Sequence, residues 1–378
     1  MAGPSHRHQS SLEGILDFSE VDSIFENAQQ RAQAISRFRR IIAYFENTTE
    51  PKPPASSSRF SEGYDRPALI RLTFDYVRSP ESQDRVLKAF FKSLALGMLE
   101  DSDDNDGIDL GDDSEVASLR TPVFAFADHL IYHFFLPLQQ VHSRDEQQRI
   151  QDFVGTPERL GALRGFCLTR DRHRCVITHT FDLNELLKRM HQQPSAQDDD
   201  GNVLDQRYDY DKLEVAHILP FSLNQVDESK KATIAILNMF DIGVIHVIEG
   251  PEMDRPRNAI TLTNRMHDLF GRFKIFFEPA AEDDAVHHDT YQIQSFLPPF
   301  LATQFGFPVQ RTLFSHPYID PPLPRLLALH SAIAHILHLS GAGEYIDGIL
   351  RDGEDGMVRE DGSTQLGALV NMALQMST

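Results

Sequence analysis

The stretch LEVAHILPF, residues 213–221, constrains this chain more than any other. Its apolar residues read as a short buried strand over KLEVAHIL (212–219), broken at Pro220, which has no amide to give to a ladder. The strand nevertheless carries Glu214 and His217, two ionisable groups that packing alone does not call for. The stretch MDRPRNAITLTNRMHDLFGRFKIFFEP (253–279) then reads as turn, short strand, helix and strand. Asn258 stands at the head of the strand AITL, and His267 follows nine residues later. Thr263 or Asn264 is the expected N-cap, since either side-chain oxygen can accept from the first helix amides. That cap places His267 on the first helical turn, facing back over the sheet.

Around this core the chain divides into three segments: 1–163, 164–279 and 280–378. In the first, residues 12–48 and 66–99 show helical periodicity, separated by the Pro/Ser-rich linker TEPKPPASSSRFSEG. The acidic loop EDSDDNDGIDLGDDSE follows and matches no EF-hand spacing. Residues 120–140 read as a buried helix. In the second segment, CVIT (175–178) and GVIHVIEG (243–250) read as strands, while LLKRM (186–190) and 229–240 read as helices, with SAQDDDGN (195–202) a loop. The third is rich in Pro and Phe to about 324, then forms a helix over 326–339 that stops at Ser340-Gly341. The fold class expected is α+β.

Charge limits the possible functions. The net charge of −20 opposes binding to a polyanion. Residues 164–278 carry only −3 of it and the remainder −17, so the flanks hold the acidity and the centre stays near neutral. Arg170, Arg172 and Arg174 alternate just before CVIT, a pattern that would let them share a strand face and meet phosphate. Two cysteines, Cys167 and Cys175, are too few for a disulfide framework or a four-cysteine zinc site, and they fit a reducing, intracellular setting. A polar N-terminus and the absence of any span-length apolar run argue against export and against a membrane. His330, His335 and His338 read as surface or interface residues of the last helix.

In this order and context, His217, Asn258 and His267 resemble the three signature residues of the HNH endonucleases. The likeness extends to Cys-x-x-Thr at 175–178, Glu-x-Ala-His-Ile-x-Pro around His217 and Asn-x-Ile-x-Leu from Asn258. The closing LLALHSAIAHILHLSGAGEYIDGILRD is similar to HNH-domain proteins of fungi. The resemblance implies a small ββα-metal core between helical flanks, and cleavage of nucleic acid, DNA ahead of RNA. It implies His217 as the base that activates water, Asn258 as the brace of its loop, and His267 as ligand to one divalent ion (Mg²⁺, Mn²⁺ or Zn²⁺). Many members carry a second ligand just before the base, where this chain has Ala216. Residues two apart on a strand share a face, so Glu214 is the expected replacement. The competing expectation is an inactive HNH-fold scaffold with a structural ion or none, its amphipathic flanks holding a protein partner.

Overall fold

The structure, a computed structural model, describes residues 24–48, 63–99, 109–143, 157–193, 195–219, 228–248, 250–280 and 289–355. In chain order it forms helices α1 (Ala28–Thr48), α2 (Arg66–Tyr76), α3 (Pro80–Ser93) and α4 (Asp113–Leu130). A π-turn (Ile131–Phe135), α5 (Leu136–Ser143) and α6 (Pro157–Arg170) follow. Next come β1 (Phe181–Asp182), α7 (Leu183–Gln192), β2 (Tyr210–Asp211), β3 (Leu213–His217), α8 (Glu228–Phe240) and α9 (Ile245–Ile248). Two 3₁₀ turns (Gly250–Asp254 and Pro256–Asn258) lead into β4 (Ala259–Thr263) and α10 (Asn264–Gly271). The remainder is β5 (Ile275–Pro279), β6 (Thr290–Ser295), α11 (Pro299–Gln304), β7 (Val309–Thr312), α12 (Pro324–Leu339) and α13 (Ala342–Asp355). The N-terminal part of the 12–48 helix, the Pro/Ser linker short of Gly63, most of the acidic loop and Pro220 lie outside the described residues.

The chain forms two compact units, whose boundaries cut across the three sequence segments. The first comprises Met1–Pro54, Arg66–Phe134 and Val226–Ile242, so α8 joins the N-terminal helices rather than the segment around it in sequence. Its core is aromatic: Phe38 meets Phe90 edge-on at 5.0 Å and Phe74 at 4.9 Å, and all three are buried. Ser79 caps α3 by accepting from the amide of Ser82, with Pro80 in the first turn where no amide is needed. A π-turn leaves carbonyls out of the usual ladder, and here the Thr233 hydroxyl donates to the carbonyl of His133 at 2.6 Å.

The second unit holds the segment of interest. β3 and β4 pair antiparallel, Leu213 opposite Thr263 and His217 opposite Ala259, and all five residues of β4 are buried. Thr263 caps α10 by accepting from the amide of Met266, and α10 returns over the two strands. β5, β6 and β7 form an antiparallel sheet on which α12 packs through β5. The helix stop expected at Ser340-Gly341 is present: Gly341 adopts φ +72, and α12 and α13 meet there at 86°.

Three sequence expectations need correction, and the Pro/Phe-rich stretch holds structure that the sequence reading left open. CVIT is a turn, because the amide of His179 closes back on the carbonyl of Cys175 and only Val176 reaches β4. GVIHVIEG is a turn at Gly243 (φ +75) and the short helix α9, held by local bonds from His246 to Gly243 and Val247 to Val244. The Pro/Phe-rich stretch contains β6 and β7, whose alternation of Tyr291 and Ile293 with Gln292 and Gln294 is a sheet pattern. His330 is fully buried instead of superficial: it stacks on Phe270 at 3.8 Å and lies 3.0 Å from the Phe270 carbonyl, so it supports the end of α10.

Candidate active site

A two-stranded hairpin has two open edges, and unpaired backbone groups there must find partners when buried. The free edge of β4 is closed from the end of α6. Arg170 donates to the carbonyls of Ala259 (2.9 Å) and Pro256 (2.6 Å), Asp171 accepts from the amide of Thr261 (3.2 Å), and Val176 donates to the carbonyl of Thr261 (2.9 Å). Arg170 and Asp171 also bind each other at 2.8 and 2.9 Å. Burial opposes the charge on Arg170, but Asp171 outweighs it and holds the guanidinium protonated more firmly than usual. The structure therefore does not gather the three arginines on one strand face. Arg170 ends a helix and is buried, and Arg174 is buried against Asp198 at 2.9 Å. Arg172, with φ +53, leans on Asp200 and the Phe314 ring. No strand face unites them, since residues 171–173 form a turn.

At the start of β3 the anchor is Asp182. It accepts from the amide of Leu213 and caps α7 through the amide of Glu185, while Arg164 donates to the carbonyl of Leu213. The strand then alternates. Glu214 shares its pleat phase with Ala216, one residue out of step with His217. Across the hairpin, α10 brings His267 to Glu214: Nδ1 lies 2.9 Å from Oε2, and Asn264 Nδ2 donates to Oε1 at 3.2 Å. The hydrogen bond from His267 holds the Glu214 carboxyl below its ordinary range against the pull of burial, with Asn264 and nearby Lys212 adding to the effect. Against a carboxylate, Nδ1 is the donor nitrogen of this imidazole.

His217 lies in a different setting. Its Nε2 is 3.5 Å from Oδ1 of Asp254, and both side chains are nearly buried, at 6 and 7 % exposure. Asn258 ties this end together. Its Oδ1 accepts from the amide of Leu219 (3.1 Å), and its Nδ2 lies 3.2 Å from the carbonyls of Leu219 and Met253. The carbonyl of Asn258 accepts from the amide of Ile218 at 2.8 Å. One fully buried amide thus pins both the exit of the His217 strand and the turn that carries Asp254. Asp254 had no place in the sequence reading, and Asn264 entered it only as a candidate N-cap. Both fall inside the quoted 253–279 stretch, but only folding shows which histidine or carboxylate each one meets.

The donor set decides what ion these residues fit. Glu214 and His267 supply one oxygen and one nitrogen, and Ala216 supplies none. Among the described residues no group of three or more His, Cys, Asp or Glu is gathered to hold a metal. These two donors could serve a divalent ion whose remaining positions are taken by water. Cys167 and Cys175 are both free and buried, and burial pushes the Cys167 thiol up to about 12.

The hairpin, its helix and their signature residues lie within a region of established likeness. Residues 175–278 match the family model for HNH endonucleases. The match takes in β3, β4, α10 and nearly all of β5, just over a quarter of the chain, and it supports an HNH nuclease assignment for this segment. No curated protein and no solved structure matches the chain. The HNH segment is therefore an α and β core within a larger mixed architecture, with helices before and after it.

Proposed function

We propose that this chain is a metal-dependent HNH endonuclease that hydrolyses phosphodiester bonds in nucleic acid, DNA ahead of RNA. The observation that carries the reading is the Asn258 clamp, which fixes the backbone leaving His217 inside the segment that matches the family. A base needs a set position more than a strong pKa, and imidazole already titrates near neutrality. In the proposed reaction His217 takes a proton from water, and the water oxygen attacks phosphorus. The bond to the 3′-oxygen breaks, leaving a 5′-phosphate and, once that oxygen gains a proton, a 3′-hydroxyl. Glu214 and His267 would hold the divalent ion, which when bound supplies positive charge at the phosphate and the leaving oxygen. Asn258 keeps the base in register. Exposed Lys212 and Arg265, which flank the Glu214–His267 pair in sequence, replace the arginine row as the proposed phosphate contacts. Two buried, unbridged cysteines suit an intracellular enzyme.

The second reading is a binding module that keeps the fold without the chemistry. Ala216 and the two-donor set favour it, as does the net charge of −20. Cleavage of plasmid, single-stranded DNA and RNA at low salt, with Mg²⁺ or Mn²⁺, separates the two. Metal-dependent nicking that His217→Ala abolishes is the result expected of the nuclease. Metal binding without cleavage of any of the three substrates would establish the module instead.

A further inference from the structure

We propose that Phe305 is a positioning residue for substrate binding: its ring holds the Arg265 guanidinium beside α10 with the N–H edge open to a backbone phosphate of nucleic acid. The proposal rests on the nucleic-acid reading above, and it brings into the substrate surface a residue that lies beyond the family match at 175–278. Arg265 is exposed on the first turn of α10, two residues before His267. Its guanidinium carbon lies 5.4 Å from the centre of the half-buried Phe305 ring. An aromatic face attracts a cation at this distance and leaves the in-plane N–H groups directed outward, where a phosphate can accept from two of them. Among the described residues Arg265 has no carboxylate within ion-pair distance.

The backbone on both sides of the ring is set. Phe305 ends α11, and its amide donates to the carbonyl of Leu301 at 3.0 Å. Gly306 takes φ +76, which a residue without a side chain adopts freely. The amide of buried Phe307 then reaches back to the carbonyl of Ala302 at 2.8 Å and closes the helix end. Neighbouring cations are held differently. Arg272, past the other end of α10, binds Asp268, Lys274 lies against Glu344 and Asp347, and Arg255 and Arg257 share Glu252. In a chain of net charge −20, a cation held on a ring instead of a carboxylate keeps its charge available to an anion from outside. Two residues along a helix turn a side chain through about 200°, so Arg265 and His267 leave α10 on opposite flanks. Arg265 therefore suits a phosphate other than the one being cleaved, and its contribution is to binding.

The test measures binding of the full-length protein to a short fluorescent DNA duplex in EDTA, over a series of salt concentrations. Arg265→Ala should lower affinity about tenfold at low salt and reduce the salt slope by about one. Phe305→Leu keeps apolar bulk but removes the ring, and should lower affinity about three- to fivefold. Phe305→Tyr should restore wild-type binding. The double variant should bind as Arg265→Ala does, because the ring acts only through the guanidinium. In cleavage assays the loss should appear in KM rather than in kcat. Undiminished affinity in Arg265→Ala overturns the proposal, and that exposed position does not depend on how Phe305 variants fold. Losses that add in the double variant overturn it equally, since they make the ring a fold element or a separate contact. Failure of the wild type to bind the duplex overturns it too. If the cycle behaves as expected while no protein cleaves DNA with Mg²⁺ or Mn²⁺, the phosphate grip stands and the nuclease reading falls.

Discussion

Two pairs of histidines in this molecule, one in the helical unit and one in the HNH segment, face different partners. In the helical unit, His129 faces another imidazole, that of His133, with ring centres 4.3 Å apart. Burial and then that second ring push His129 down to about 3, so it stays neutral at any ordinary pH. In the HNH segment each signature histidine faces a carboxylate instead: His267 meets Glu214, and His217 meets Asp254. Burial alone makes an imidazole inert. A carboxylate beside it gives the ring N–H an acceptor and so orients the ring, which is what a base or a metal-binding imidazole requires. The two site pairs differ in turn. Glu214 and His267 are more open, at 16 and 15 % side-chain exposure, as suits a hydrated ion, while His217 and Asp254 are closed.

This contrast breaks first at His217. His217→Ala should lower cleavage by about 10²- to 10⁴-fold, the usual contribution of a positioned base, in a protein that still folds at the assay temperature although its melt falls as the buried Asp254 loses its neighbour. Loss of the fold along with the activity would show that the histidine is structural. Asn258→Ala should cost about 3 kcal/mol in urea unfolding, because several backbone groups lose a buried partner together. It should also silence cleavage. A variant of wild-type stability would mean that the clamp is incidental.

The helical side of the comparison gives a pH test. The pKa of His129 is lowered in the folded state, so its contribution to stability is complete above about pH 6.5 and declines as pH falls toward 3. By pH 5 the loss amounts to at most about 2 kcal/mol, reduced by whatever water reaches the ring. His129→Phe should flatten that slope in urea titrations at pH 7 and 5, whereas an unchanged slope would assign the acid sensitivity elsewhere. The smallest effect is expected at the surface. Lys212→Ala should weaken DNA binding only a few-fold at low salt and reduce the salt slope by about one. A slope that stays the same would remove Lys212 from the phosphate path.

The pieces legible in the sequence are those whose signals are local. The apolar runs of LEVAHIL and AITLT mark the paired strands and Thr263 marks where the helix starts, so the places of His217, Asn258 and His267 on strand, turn and helix were legible. CVIT and GVIHVIEG misled because local β-propensity yields to tertiary context, here a chain reversal with positive φ at His179 or Gly243. The arginine row misled for a related reason. Its alternation has meaning only on a strand, and at Arg170 a helix ends, so the side chain points back to serve the edge of β4. The approach of Asp254 to His217 was invisible because it depends on a turn folding over a strand end 37 positions earlier in the chain. The replacement for Ala216 was legible in part. Strand phase named Glu214, but its direct bond to His267 needed the helix in place.

The most direct test of the account loads the protein with Mn²⁺ and reads nitrogen coupling to the ion by pulsed electron paramagnetic resonance. A coupling from a directly bound imidazole is predicted, present in the wild type and in His217→Ala and lost in His267→Ala. Glu214→Gln should weaken the ion by about 10- to 100-fold. Coupling that survives in His267→Ala but vanishes in His217→Ala would reverse the roles of the two histidines and contradict the account at its centre.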